Sequence, residues 1–116
     1  NGLAISYNYV GNTYLSLGDL TQALSNYEKY NQLSRELYEE NTQNVKFKND
    51  YAISYSKLGD THRALGDLQH ALGYFEERNR LGKELHEAFP QNVDFKKGLG
   101  WANQFLGIAH SSLGNL

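Results

Sequence analysis

Four histidines and two pairs of adjacent glutamates are the side chains of this 116-residue chain whose chemistry suggests metal binding or acid–base catalysis. Histidines on one helix bind zinc when they lie four residues apart, so that both rings reach the same ion. No two of these histidines have that spacing, and the chain has no cysteine to complete a site. They are His62, His70, His86 and His110. We therefore expect no metal site and no cofactor.

The glutamate pairs do not have the arrangement that catalysis requires. Glu39-Glu40 and Glu76-Glu77 are neighbours in sequence, and neighbouring side chains on a helix point about 100° apart. General acid–base catalysis needs carboxylates that converge in a closed pocket. Gly98-x-Gly100 is not a dinucleotide-binding fingerprint, because no strand precedes it and its third glycine is missing. We therefore expect the chain not to be an enzyme.

The overall charge also excludes several classes of partner. Lysine and arginine total 11 against 13 acidic residues, a net charge of −2, and no basic stripe is present. The electrostatic footprint of a nucleic-acid-binding protein is therefore missing. No apolar run reaches the roughly 18 residues of a membrane-spanning helix. The absence of cysteine fits a reducing compartment, and we expect a cytoplasmic location.

The chain repeats itself with a period of 48 residues. Residues 1–48 and 49–96 align without a gap, and 24 of the 48 aligned positions carry the same residue. A third, partial copy occupies residues 97–116. Self-similarity of this kind indicates a solenoid, whose units bury their apolar faces by stacking. We predict a single array over residues 1–116. The lack of methionine and the end at Leu116 suggest a piece of a longer array.

Each copy is predicted to form two helices, which we call the first-type and second-type helix. Apolar and small residues recur at spacings of three and four, the period of one helix face. Gly18 and Gly66 are expected to end the first-type helices, and Asp19 and Asp67 to cap the second-type helices that follow. Asn44 and Asn92 should cap the next first-type helices. Short connections require antiparallel neighbours, so the prediction is an all-α protein.

Glycines recur inside the first-type helices, where each costs up to about 1 kcal/mol relative to alanine. They are Gly11, Gly59 and Gly107. Their recurrence predicts a close approach between two helices, with Ala23 and Ala71 on the partner side.

These residues resemble the tetratricopeptide repeat, whose pattern is W-x2-L-G-x2-Y followed by an alanine and, four residues later, an aromatic residue. The second copy has Tyr55, Leu58, Gly59, His62, Ala71 and Phe75 in these places, and the first has Tyr7, Val10, Gly11, Tyr14, Ala23 and Tyr27. The third keeps Leu106, Gly107 and His110, with Asn103 in the first aromatic position. The family's unit is usually about 34 residues long, so this chain resembles a long-repeat variant. The extra residues fit a longer second-type helix and a longer lead-in to the next helix.

The resemblance implies a right-handed superhelical α-solenoid of antiparallel helix pairs, with five helices in this chain. It also implies a non-catalytic scaffold that binds a peptide or partner helix on a concave surface lined by the first-type helices. Transferred through the Leu-Gly register, the partner-binding residues would be Asn8, Asn12, Leu15, Ser56, Lys57, Asp60, Arg63, Trp101, Gln104 and Ile108. Ile5, Ile53 and Ser111 occupy further groove positions, with Tyr9 and Phe105 at the flank.

Neutral amides and hydroxyls dominate these positions, and both groups can donate and accept hydrogen bonds. We therefore expect recognition of a mostly uncharged segment, with an ion pair between Asp60 and Arg63 on the groove wall. Replacing Asn12 and Arg63 by alanine should weaken partner binding and leave thermal stability almost unchanged. The alternative interpretation is that these residues are only the solvated face of the helices.

A second function remains open, in which copies of the chain stack end to end. The terminal helices, 1–17 and 97–113, lack the polar outer face of a capping repeat. The last of them would leave four apolar side chains poorly covered, namely Leu99, Phe105, Leu106 and Leu113. Exposed apolar patches of this kind promote association.

Overall fold

The structure is a computed structural model and describes residues 2–98, 100, 104, 106 and 107. Four complete helices follow one another along the chain: α1 (Gly2–Ser16), α2 (Leu20–Glu40), α3 (Val45–Ala64) and α4 (Leu68–Ala88). Residues 93–98 begin a fifth helical segment, in which residues 100, 104, 106 and 107 are also helical. The described residues contain no strand. The prediction of an all-α helical repeat is confirmed.

The helix boundaries repeat with the sequence. α2 and α4 begin at Leu20 and Leu68, 48 residues apart, and each is 21 residues long. α3 begins at Val45, and the fifth segment begins 48 residues later, at residue 93. The residues beyond the usual repeat length therefore lengthen both helices of each pair, and the predicted lead-in is largely helical itself.

Each predicted cap is present. The carboxylates of Asp19 and Asp67 accept hydrogen bonds from the backbone N–H groups of Gln22, at 3.1 Å, and His70, at 3.2 Å. Asn44 caps α3 through Phe47 N–H at 3.0 Å, and Asn92 caps the fifth segment through Phe95 N–H at the same distance. Side-chain acceptors of this kind satisfy backbone donors that the first helical turn leaves free.

The turns between paired helices require glycine. Gly18 has φ +80° and Gly66 has φ +82°, in the left-handed region that other residues rarely adopt. This conformation reverses the chain within three residues, so that α2 packs back on α1 and α4 on α3. Each pair is therefore an antiparallel hairpin.

The core lies between successive helices. Ala23, Tyr27, Ala71 and Phe75 on the second-type helices are fully buried, and Leu58 of α3 belongs to the same cluster as Tyr27. A second cluster forms around Tyr51, Ala52, Leu81 and Leu85. The first-type helices thus contribute one face to each core and leave another face to the surroundings.

Close packing explains the two described helical glycines that recur between the copies. A Cβ atom at Gly11 would lie 2.6 Å from the Tyr27 ring, and one at Gly59 would lie 2.6 Å from the Phe75 ring. The close approach was predicted, but the groups nearest to each glycine are aromatic rings, four residues after the alanines that we expected there. Gly107 has no atom within 4 Å of such a Cβ position.

Candidate protein-interaction surface

The predicted partner-binding residues lie on the first-type helices and are mostly half-buried. Asn8, Asn12 and Leu15 on α1 are partly accessible, as are Ser56, Lys57 and Asp60 on α3. Arg63 and Gln104 are exposed. Trp101 and Ile108 lie outside the described residues, as do Phe105 and Ser111. The described members therefore remain partly or fully open to solvent, as a binding surface requires.

Asn12 and Asp60 meet on either side of a buried tyrosine. The Tyr27 hydroxyl of α2 donates a hydrogen bond to Asn12 Oδ1 at 2.6 Å. Burial raises the pKa of Tyr27 to about 12, and the negative charge of Asp60 adds to the effect. Equivalent positions of α1 and α3 are thus brought together around one hydroxyl group, which links the two helices into one polar surface.

Asp60 is the charged centre of this surface. Burial raises the pKa of its carboxyl group above the ordinary value, while the positive charges of Arg63 and Lys57 partly offset that effect. Arg63 Nη2 lies 3.8 Å from Asp60 Oδ1, which is the predicted ion pair. Because both side chains stay partly in solvent, such a pair contributes little to stability. The carboxylate is therefore partly dehydrated without a strong partner.

Asn8 is a second polar group with no role in holding the described helices together. Its Oδ1 atom is buried and has no hydrogen-bond partner among residues 2–98 and the few described beyond them. Buried amide oxygens in folded proteins nearly always have a partner, so this one calls for an explanation.

Other predicted residues contribute to the fold itself. Leu15 packs against the core cluster around Tyr27, together with Ile53. Ser56 Oγ accepts a hydrogen bond from Arg78 Nε at 3.0 Å. Asn12 is similarly occupied by Tyr27, so its replacement by alanine would leave a buried hydroxyl group without its acceptor. The expectation that this change leaves stability unchanged is therefore wrong for Asn12.

Two arrangements were missed at the sequence level. Arg78 is buried between α3 and the fifth segment, where a Cβ at Gly98 would collide with its guanidinium group. His62, Asp67 and His70 lie together at the turn between α3 and α4, with their ligand atoms within 4.8 Å of one another. Only a comparison across the turn could have found the second group, because the two histidines belong to different helices.

One face of α1 is apolar and uncovered. Leu3 is 55% exposed and Val10 41% exposed, whereas their equivalents Tyr51 and Leu58 are 7% and 2% exposed because α3 packs on α2. A shallow cavity of about 240 Å³ opens beside this face and is lined by Leu3, Tyr7, Lys29, Gln32 and Leu33. At the other end of the chain Leu106 is half-buried, and the other apolar residues predicted to be uncovered there lie outside the described part. None of the described helices has the length and apolar character needed to cross a membrane.

The fold and its register define an α-helical repeat protein built from helix hairpins. A family model described as the tetratricopeptide repeat matches residues 2–78, that is 77 of the 116 residues, and the chain belongs to this family. Repeats of this family are generally non-catalytic interaction modules, and membership suggests a role as a protein–protein interaction scaffold. No curated protein matches the chain significantly.

Proposed function

We propose that the chain is a non-catalytic scaffold that binds a peptide or partner helix on the polar surface of its first-type helices. In the described part, this surface comprises Asn8, Asn12 and Leu15 of α1, Ser56, Lys57, Asp60 and Arg63 of α3, and Gln104. Trp101 and Ile108 are proposed to extend it. We also propose a cytoplasmic location and no binding of nucleic acid, in line with the balanced charge and the lack of cysteine.

The observation that carries the proposal is the state of Asp60. Its burial raises the carboxyl pKa, so keeping the group ionised near neutral pH disfavours folding. Backbone N–H groups of a bound extended segment would supply the donors that this dehydrated carboxylate lacks. Asn8 adds an amide that is not engaged with the described residues. A segment rich in backbone hydrogen-bonding groups and poor in charge fits these side chains.

The test uses peptides selected from a random library displayed on phage. Their affinities would be measured for the parent chain and for a variant carrying Asp60→Asn and Asn8→Ala. We expect affinity to fall about tenfold or more, since a hydrogen bond to a charged group contributes about 1.5–3 kcal/mol. Thermal stability should stay the same or rise slightly, because the buried charge is removed.

The matched control is a variant with Glu87→Gln and Gln69→Ala, which removes one carboxylate and one amide from exposed positions of α4. Its affinity should equal that of the parent chain. If the selected peptides bound the Asp60 and Asn8 variant as tightly as the parent, the proposed surface would be wrong.

A second candidate function is self-association through the uncovered face of α1. The observation favouring it is the exposure of Leu3 and Val10 at positions where the repeat-equivalent residues are covered by a second-type helix. The proposed occupant is the second-type helix of another copy of the chain. A helix of that type is what covers this face in the next repeat.

Sedimentation velocity at increasing concentration would test this function. Self-association should occur in the parent chain and be lost when Val10 is replaced by glutamate. Leu65→Glu is the control, since Leu65 is 47% exposed and lies outside this face. A parent chain that stays monomeric at the highest concentrations would eliminate the second function and leave the first untouched.

A further inference from the structure

The turn between α3 and α4 brings two histidines and an aspartate together. Asp67 Oδ2 lies 2.6 Å from His70 Nδ1 and 3.5 Å from His62 Nδ1. His62 comes from the last turn of α3, Asp67 is the N-cap of α4, and His70 lies in the first turn of α4. All three ligand atoms fall within 4.8 Å of one another. The helical spacing rule applied to the sequence could not find this group.

Packing holds each of these side chains in place. Asp67 Oδ1 accepts the backbone N–H of His70, which leaves Oδ2 directed towards the two rings. The His62 ring stacks on His70, with centroids 5.4 Å apart, and on its other side contacts Tyr74 at 5.2 Å. His62 Nδ1 is buried and makes no hydrogen bond in the described part of the chain. A nitrogen lone pair is therefore aimed at the carboxylate without a firm partner.

We propose that His62, Asp67 and His70 bind a divalent transition-metal ion of the zinc class. Zinc bound at about 2.0–2.1 Å in tetrahedral geometry separates its ligand atoms by roughly 3.3 Å, which lies between the two distances to Asp67 Oδ2. His70 is largely exposed, so a small rotation of its ring makes room for the ion. Water would occupy the fourth position.

The donor set decides the class of ion. Imidazole nitrogen favours zinc, copper and nickel, whereas magnesium and calcium prefer sites built from oxygen alone. The three ligands come from two helices, so the bound ion would tie the end of α3 to the start of α4. Binding of this kind stabilises the folded state by mass action, because the unfolded chain has no preformed site.

The first repeat is a built-in comparison. It keeps the same hairpin and the same cap, Asp19, but has Tyr14 and Gln22 where the second repeat has His62 and His70. The first repeat therefore has one of the three ligands, and we expect one ion for the hairpins of α1 to α4.

The direct experiment is calorimetric titration of the chain, prepared without a polyhistidine tag and freed of metal, with zinc sulfate. We expect one ion bound with micromolar affinity and a melting temperature raised by roughly 5–10 °C at saturating zinc. His70→Gln, which copies the first repeat, should lower the affinity at least about tenfold. The same loss of one histidine in His86→Gln should leave it unchanged.

Cobalt gives an independent readout, since a tetrahedral site produces visible absorption that an octahedral aqueous ion lacks. The parent chain and His86→Gln should show this band, and His70→Gln should lose it. Equal zinc affinity in the parent chain and His70→Gln, or no binding at 100 micromolar zinc, would overturn the proposal. Equal losses in His70→Gln and His86→Gln would do so too, because they would indicate binding without a defined site.

Discussion

At the scale of single residues, the hydrogen bond between Tyr27 and Asn12 connects stability with the proposed surface. Tyr27 is fully buried, yet its hydroxyl reaches Asn12 Oδ1 at 2.6 Å on the partly accessible side of α1. The charge of Asp60 acts on the same hydroxyl group. Asn12 is thus needed by the fold, whereas Asp60 and Asn8 are the side chains that a partner is proposed to use.

Replacing Asn12 by alanine should lower the free energy of unfolding by about 1–3 kcal/mol, because the buried Tyr27 hydroxyl loses its acceptor. Urea denaturation would measure the change. Gln32→Ala is the control, since Gln32 is an exposed amide of α2 with a single long hydrogen bond of 3.4 Å to Glu36. Similar losses for the two variants would contradict the assigned importance of the Tyr27–Asn12 bond.

Tyr27 should also make the protein sensitive to alkaline pH. The pKa of this hydroxyl is raised from 10.0 to about 12 in the folded state, first by burial and then by Asp60. Between these values the unfolded chain releases the proton and the folded chain keeps it. The free energy of unfolding should therefore fall as pH rises, by roughly 1 kcal/mol per pH unit for this proton.

Urea unfolding at about pH 9 and about pH 11 would measure the slope, with Tyr27→Phe as the comparison. The variant should lose less stability over this interval than the parent chain does. Burial also raises the pKa of Tyr30 and Tyr55, so some slope should remain in the variant. Parallel pH profiles would exclude Tyr27 as a contributor.

At the scale of elements, the glycines of the first-type helices set the distance between the helices of a hairpin. Gly59 lies against the Phe75 ring and Gly11 against the Tyr27 ring. Both rings are fully buried and have no space into which they could move. Gly73 of α4 is different, because a Cβ atom there would have no neighbour within 4 Å.

The same substitution should therefore have opposite effects at two helical glycines. Gly59→Ala should destabilise the protein by about 1–3 kcal/mol through overpacking against Phe75. Gly73→Ala should stabilise it by up to about 1 kcal/mol, because alanine favours the helix and meets no obstacle. Thermal melting of the two variants would reveal the difference in sign. A stabilised Gly59→Ala variant would show that the helices can separate at little cost.

At the scale of the whole molecule, burial is unequal along the array. α1 has two buried residues, Ala4 and Gly11, whereas α3 has six, because α3 is packed on α2 as well as on α4. Stability in repeat arrays is approximately the sum of the stability of each unit and of its interfaces with neighbours. A helix with one neighbour should therefore open more readily than one with two.

Hydrogen exchange followed by mass spectrometry would test this order. Amides of α1 should exchange at least about tenfold faster than those of α3, since local opening depends on the number of buried contacts. If the uncovered face of α1 binds another copy, raising the protein concentration should slow exchange in α1 specifically. Equal protection of α1 and α3 in dilute solution would contradict the unequal burial.

The sequence by itself determined the repeat, the two helices in each unit, their caps at Asp19, Asp67, Asn44 and Asn92, and the turns at Gly18 and Gly66. These features depend on hydrogen bonds and backbone angles within a few residues, so local sequence is sufficient. It also determined the family, because the pattern recurs in register.

Only the tertiary structure decided which side chains from different helices meet. Sequence spacing placed alanines opposite the helical glycines and treated His62 and His70 as unrelated, and it left Asn12 free for a partner. The structure instead puts aromatic rings on Gly11 and Gly59, Tyr27 on Asn12, and both histidines on Asp67. Contacts of this kind depend on the distance and rotation between packed helices, which the chemistry of one helix does not specify.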